Sequence, residues 1–65
     1  MENRWIQIEK KIIETLSERE SLTTAQIGRN VNIHPQTAQK HLDLMKFHGV
    51  VEFKTNGRIK IWSLK

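Results

Sequence analysis

Residues 22–49, LTTAQIGRNVNIHPQTAQKHLDLMKFHG, carry the start and stop signals of two consecutive helices. Thr23 followed three residues later by Gln26 is typical of a capping box, in which each side chain bonds the other residue's backbone N–H. Asn32 stands where the chain leaves the first helix, and asparagine tolerates the left-handed conformation that a tight turn needs. Pro35 suits the first position of the next helix, where its missing N–H is no loss. The stretch therefore predicts a short helix, a turn and a second helix.

The second helix, predicted over residues 34–48, has two different faces. Its buried face is expected to comprise Ala38, Leu42 and Met45, which recur at helical spacing. The opposite face is expected to carry Gln36, Gln39, Lys40, Asp43 and Lys46. Phe47 is the one apolar residue there, and we expect it to pack beneath the following hairpin. His34 is expected to cap this helix and Gly49 to end it in a left-handed conformation.

Residues 4–19 are predicted to form an amphipathic helix with a wide apolar stripe. The stripe comprises Trp5, Ile6, Ile8, Ile12, Ile13 and Leu16 and spans about 160° of the helical wheel. Either the helix is wedged between two walls of its own domain, or Trp5, Ile6 and Ile13 form a dimer interface, since surplus apolar surface on a small protein often marks one. In the next helix, Gly28 costs about 1 kcal/mol relative to alanine, which predicts that another helix crosses close by.

Residues 50–64, VVEFKTNGRIKIWSL, are predicted to form a β-hairpin because Asn-Gly lies between two β-rich runs. A two-residue turn would pair Thr55 with Arg58 and place Val51, Phe53, Trp62 and Leu64 on one face. A three-residue turn with a glycine bulge would instead group Val51 and Phe53 with Ile59 and Ile61. We expect the first register because it unites the largest apolar residues, Phe53 and Trp62. A strand of one or two residues near Leu22 is expected beside the hairpin.

The charge of the chain is distributed unevenly. Residues 34–65 hold six basic and two acidic side chains, which accounts for the whole net charge of +4, whereas residues 1–33 hold five of each. A basic surface at one end of a small protein is typical of polyanion binding, nucleic acid above all. At 65 residues the chain is expected to form one domain, residues 1–65. The absence of cysteine excludes disulfides and thiolate metal sites and is compatible with a cytoplasmic location.

Catalytic and metal-binding functions have little support in the sequence. His34, His41 and His48 recur every seven residues, but seven helical residues rise about 10.5 Å, too far for one shared ion. No serine lies near a histidine in a nucleophile–base arrangement. We therefore expect a protein that is not an enzyme and has no metal, cofactor or small-molecule ligand. The charged residues of the first helix also exclude a membrane span.

Taken together, residues 22–64 resemble the winged helix-turn-helix domains of prokaryotic transcriptional regulators, the ArsR-like and MarR-like kinds, and residues 4–19 match the helix that precedes the motif there. The resemblance is carried by Ile27-Gly28, Val31-Asn32-Ile33, Thr37-Ala38, His41-Leu42, Gly49-Val50-Val51 and Gly57-Arg58 with Trp62-Ser63-Leu64. It implies an α+β fold of three helices followed by a β-hairpin wing. The metal-binding cysteines of ArsR-like proteins are absent. The sequence ends just after the wing, so we expect the dimerisation helix frequent in this family to be missing.

The resemblance implies sequence-specific binding of double-stranded DNA by a small transcriptional regulator. The recognition helix, residues 35–48, would lie in a major groove, and the wing, residues 50–64, would contact backbone or minor groove. The implied DNA contacts are His34, Gln36, Thr37, Gln39, Lys40, Lys54, Asn56 and Arg58. We expect a homodimer, because one such module buries only about 600–1,000 Å² on DNA. The alternative is a winged-helix module that binds other proteins within a larger nucleic-acid-processing assembly.

Overall fold

The computed structural model describes residues 3–65, so Met1 and Glu2 of the predicted domain lie outside the described residues. Three helices and three strands follow one another as α1 (Arg4–Arg19), β1 (Ser21–Thr23), α2 (Thr24–Val31), α3 (Pro35–Phe47), β2 (Val51–Asn56) and β3 (Ile59–Leu64). This is the predicted α+β winged-helix arrangement. The strand expected near Leu22 is present and is three residues long.

The boundaries of α2 follow from the predicted local chemistry. The Gln26 backbone N–H donates to Thr23 Oγ1 at 3.2 Å, and the Thr23 N–H donates to Gln26 Oε1 at 3.0 Å, which completes the capping box. Asn32 ends the helix in the left-handed conformation, with φ 63°. Both predictions are confirmed.

The cap of α3 is also confirmed. His34 Nδ1 accepts a hydrogen bond from the Gln36 N–H at 3.1 Å, and Pro35 occupies the first helical position. The helix ends at Phe47, one residue before the predicted boundary, with His48 as its C-cap. Gly49 follows with φ +76°.

Gly28 marks a close approach between α2 and the start of α3. A Cβ at this position would lie 2.9 Å from the backbone oxygen of Ile33 and 3.5 Å from Pro35 Cα. Glycine is therefore needed at this position because there is no room for a side chain. The prediction of a neighbouring helix is confirmed, since the turn and the first residue of α3 pass directly over Gly28.

The three strands form one antiparallel sheet in the order β1-β3-β2. Within the hairpin, Phe53 pairs with Trp62 and Thr55 with Lys60. The predicted pairing of Thr55 with Arg58 is therefore wrong, as is the bulged alternative. The turn residues are Gly57 and Arg58, and Gly57, with φ +64°, takes the first central position as in a type II′ turn. This moves the turn one residue along the chain.

The predicted shared face of the hairpin is nevertheless confirmed, because each β2 residue pairs two positions further along β3 than predicted, and a shift of two keeps the side-chain alternation. It comprises Val51, Phe53, Trp62 and Leu64. Trp62 is fully buried there, at 0% exposure. It belongs to one core with residues from every helix, and the buried apolar members are Ile12, Leu16, Leu22, Ile27, Val31, Ala38, Leu42, Met45, Val51 and Trp62.

One expectation about apolar residues is wrong, and one of the two alternatives for α1 is excluded. Phe47 does not pack beneath the hairpin: it is 84% exposed, because it projects from the side of α3 opposite the buried residues. Lys46 lies against the hairpin instead, with its Nζ 5.1 Å from the centre of the Phe53 ring. Nor is α1 wedged between two walls, since Ile6 and Ile13 are exposed. Within residues 3–65, no helix is long and apolar enough to cross a membrane.

Candidate nucleic-acid interface

The exposed side of α3 forms a ridge of four residues, Gln36, Lys40, Asp43 and Phe47, which we call the α3 ridge. Their spacing of three or four places them along one line of the helix, and all four are exposed. The opposite side of the helix is anchored in the core by Ala38, Leu42 and Met45. The ridge therefore faces solvent, while the opposite side of the same helix is packed in the core.

The other predicted helix contacts lie beside this ridge. Gln39 is half-buried and faces the wing, whereas Thr37 is half-buried and faces α1. Thr37 and the exposed His34 line a hollow that also includes Trp5 and His41. The structure thus brings Gln36 and Lys40 together on the ridge, places Gln39 on one flank of α3 and turns Thr37 towards the other.

The predicted wing contacts lie on different parts of the hairpin. Arg58 lies in the turn, while Lys54 and Asn56 alternate with Phe53 and therefore point to the outer face of the hairpin. Arg58 lines a cleft of about 420 Å³ between the wing and the first turn of α2; the other residues of this wing cleft are Thr23, Thr24, Ala25, Gln39, Ile59 and Lys60. Of the three wing residues, Arg58 is the one that shares a cleft with a predicted recognition residue, Gln39.

Two lysines that were not among the predicted DNA contacts lie between α3 and the wing. Lys46 of α3 and Lys60 of β3 place their Nζ atoms 5.1 and 5.0 Å from the centre of the Phe53 ring. Cations held over an aromatic face interact with the ring quadrupole. The position of Lys60 could have been predicted from strand alternation, because Lys60 lies on the same face of the hairpin as Phe53 and Trp62. Lys46 lies two turns beyond Gln39 on the same flank of α3, and Arg58 and Lys60 line the wing cleft with Gln39, so these three cations add positive charge beside that flank.

A chain of side-chain hydrogen bonds runs from the core to the α3 ridge. The Trp62 indole N–H donates to Thr24 Oγ1 at 2.8 Å, and the Thr24 hydroxyl lies 3.5 Å from Gln39 Oε1. Gln39 Nε2 in turn donates to Asp43 Oδ1 at 2.7 Å. Asp43, the one acidic member of the ridge, is therefore engaged by a neighbour on its own helix.

The predicted dimer residues do not share one environment. Trp5 packs on His41, with 3.7 Å between ring centroids, and so belongs partly to its own core. Ile6 is 53% exposed, and Ile13 is also exposed. Both isoleucines thus remain open to a partner. Among residues 3–65, no group of three or more His, Cys, Asp or Glu side chains is arranged to hold a metal ion.

Solved structures with the same fold bind DNA or belong to transcriptional regulators. The Zα domain of Carassius auratus PKZ, solved in complex with Z-DNA, superposes with a TM-score of 0.89 at 21% identity, over 97% of this chain and 100% of that domain. Lactococcus lactis ZitR, a zinc-responsive MarR family member solved with DNA as a cysteine-to-serine mutant, gives 0.80 at 23% identity over 89% of this chain and 41% of that one. A HOP2 domain described in terms of DNA recognition and protein interaction gives 0.78 at 21% identity over 89% and 98%.

These likenesses are structural, at identities too low to define a family. No protein-family model matches the sequence, and no curated protein matches it either. The chain spans about two fifths of the length of ZitR, a MarR family member. The element order, the sheet topology and these superpositions together establish that the chain has the winged helix-turn-helix fold.

Proposed function

We propose that this protein binds double-stranded DNA in a sequence-specific manner and acts as a small transcriptional regulator. The α3 ridge would enter the major groove, and the wing would contact the adjacent backbone or minor groove. The observation that carries the proposal is the ridge itself. It presents Gln36 and Lys40 to solvent from a helix whose other side is buried in the core.

The chemistry of these residues suits a duplex. A major groove admits an α-helix, and a glutamine amide can form two hydrogen bonds with adenine, which discriminates between bases by about 1–3 kcal/mol. Lys40 can reach guanine or a phosphate. Arg58, Lys46 and Lys60 supply positive charge whose contribution depends on salt rather than on base sequence. Gln36 would therefore contribute to specificity, and the cations mainly to affinity.

The solved structures support DNA binding, since both the Zα domain and ZitR were solved with DNA. The finer parts of the proposal have narrower support. A homodimer through Ile6 and Ile13, with Trp5 at its edge, is supported by their exposure on α1. One domain over residues 1–65 is supported by the single core that draws on every helix. A prokaryotic, cytoplasmic and non-enzymatic protein is supported by the likeness to MarR-family regulators and by the lack of cysteine.

Selection of bound sequences from a random duplex pool tests the proposal. Wild-type protein should enrich a defined site, and a site with two-fold symmetry would support the homodimer. Gln36→Ala should change which bases are enriched, because it removes a base contact and leaves the cations in place. A pool that shows no enrichment after repeated selection would contradict sequence-specific binding.

The Zα domain favours a second candidate, recognition of left-handed duplex, because the superposition covers almost the whole of both chains. Circular dichroism separates the two candidates. Adding the protein to an alternating d(CG) duplex should invert its spectrum if the left-handed form is bound, whereas the proposal above predicts a right-handed spectrum throughout the titration. The selection from a random duplex pool is the corresponding test for binding to right-handed DNA.

A further inference from the structure

The hydrogen-bonded chain from Trp62 to Asp43 has a fixed direction. Trp62 is fully buried, and its indole N–H can only donate, so Thr24 Oγ1 must accept at this 2.8 Å contact. The Thr24 hydroxyl retains one proton to donate, and Gln39 Oε1 lies 3.5 Å away. The core of the protein thus presents a hydroxyl donor to the flank of α3.

The two ends of the Gln39 amide are therefore distinguished by their neighbours. Gln39 Nε2 lies 2.7 Å from Asp43 Oδ1, and an ionised carboxylate can only accept. Turning the amide over would place two acceptor oxygens against each other. The Asp43 carboxylate therefore selects one amide orientation, with nitrogen towards Asp43 and oxygen towards Thr24, and the Thr24 hydroxyl donates to that oxygen. This orientation exists before any ligand binds.

The amide keeps one N–H and one oxygen lone pair after both contacts are made. In the major groove, adenine offers the complement of this pair, an N7 acceptor and an N6 amino donor. We propose that Thr24 and Asp43 position Gln39 as the side chain that recognises one adenine of the bound duplex, with Trp62 anchoring Thr24. The inference rests on the proposed function. It assigns positioning roles to Thr24, Asp43 and Trp62, which are not among the predicted DNA contacts.

Fixing the amide in advance has a measurable consequence. Ordering a flexible side chain at an interface weakens association by about 2- to 10-fold, and a side chain that is already ordered avoids this loss. A free Gln39 would also present either end of its amide, so adenine would be distinguished less sharply from other bases. Loss of the Thr24 hydroxyl should therefore reduce the preference for adenine at one position and leave the rest of the site unchanged.

Thr24→Val tests the inference, because valine keeps the shape of threonine and removes the hydroxyl; Thr24→Ser, which keeps the hydroxyl, is the matched control. Affinities are measured by fluorescence anisotropy on the selected duplex and on duplexes in which each adenine in turn is replaced by 7-deazaadenine, which lacks the N7 acceptor. Wild type and Thr24→Ser should lose affinity when the adenine at one particular position is replaced by 7-deazaadenine. Gln39→Ala should bind the duplex with and without that replacement equally well. Thr24→Val should show about 2- to 10-fold less discrimination at that position.

Asp43→Ala provides a second variant, since it frees the other end of the amide without entering the core, and it should have the same positional effect. In the free protein, the heteronuclear NOE of the Gln39 side-chain amide should be high in wild type and Thr24→Ser and lower in Thr24→Val and Asp43→Ala. The inference is overturned if both of these variants discriminate like wild type, or if Gln39→Ala alters no position while wild type still binds its selected site. Absence of all duplex binding by wild type would overturn the proposed function together with it.

Discussion

Glu9 of α1 accepts a hydrogen bond from His41 of α3, with 3.3 Å between its Oε2 and the imidazole Nδ1. His41 is buried, at 1% exposure, and Trp5 packs on its ring. The contact explains why a carboxylate lies among the apolar residues of α1. It also joins the first helix to the helix that carries the proposed recognition residues.

We predict that Glu9→Ala destabilises the fold by about 1–3 kcal/mol, because it leaves the buried His41 ring without its polar partner. Urea unfolding at pH 7 measures this change. Glu14→Ala is the matched control, since Glu14 is exposed on the same helix, and it should stay within about 0.5 kcal/mol of wild type. Equal unfolding midpoints for the two variants would show that the contact contributes nothing to stability.

Gly28→Ala should also destabilise the protein, although alanine is the better helix former by about 1 kcal/mol. The added Cβ would lie 2.9 Å from the backbone oxygen of Ile33, and the turn must shift to relieve the overlap. The expected net loss is about 1–2 kcal/mol, a typical cost of overpacking. Thermal unfolding measures it, with Arg29→Ala, an exposed neighbour, as control. A melting temperature at or above the wild-type value would contradict the close approach.

The proposed DNA surface predicts a charge-specific salt dependence. Lys40→Ala and Arg58→Ala should each weaken binding to the selected duplex and reduce the slope of log K against log salt by about one unit if a phosphate contact is lost. Lys11→Ala removes the same charge from α1 and should leave the slope unchanged. Identical slopes for all three variants would place the bound DNA elsewhere.

The dimer proposal predicts an effect of α1 on self-association. Ile6→Glu would place a charge at the most exposed residue of the proposed interface and should convert a dimer to a monomer in sedimentation velocity. Ile59→Glu is a useful control, because Ile59 is similarly exposed but lies in the wing. A wild-type protein that sediments as a monomer both alone and on its selected DNA would contradict the dimer.

The sequence predicted the fold well because its strongest signals are local. The Thr23–Gln26 capping box, the turn at Asn32 and the start of α3 at Pro35 each depend on neighbouring residues, and all three are confirmed. The hairpin face was also predicted correctly, because alternation survives a register change of two residues. The turn itself was misplaced, since Asn56 stays in the strand and Gly57 alone takes the positive φ.

The candidate site was harder to predict, because it depends on contacts between distant parts of the chain. The contact from Trp62 to Thr24 spans 38 residues, and nothing in the sequence near Gln39 indicates that its amide has partners. Phe47 was misplaced for a similar reason. Its helical position indicates which side of α3 it occupies, but whether the hairpin reaches that side depends on how β2 leaves the helix. Lys46 meets the hairpin instead.

The most direct test of DNA binding through α3 and the wing is a ¹H–¹⁵N NMR titration of the full chain with its selected DNA duplex. We predict that the largest shift changes fall at Gln36, Lys40 and Arg58, with much smaller ones along the exposed side of α1. A protein-interaction module would not respond to the duplex in this way. Changes centred on Ile6 and Ile13, with the α3 ridge unaffected, would contradict the claim that α3 and the wing form the DNA-binding surface.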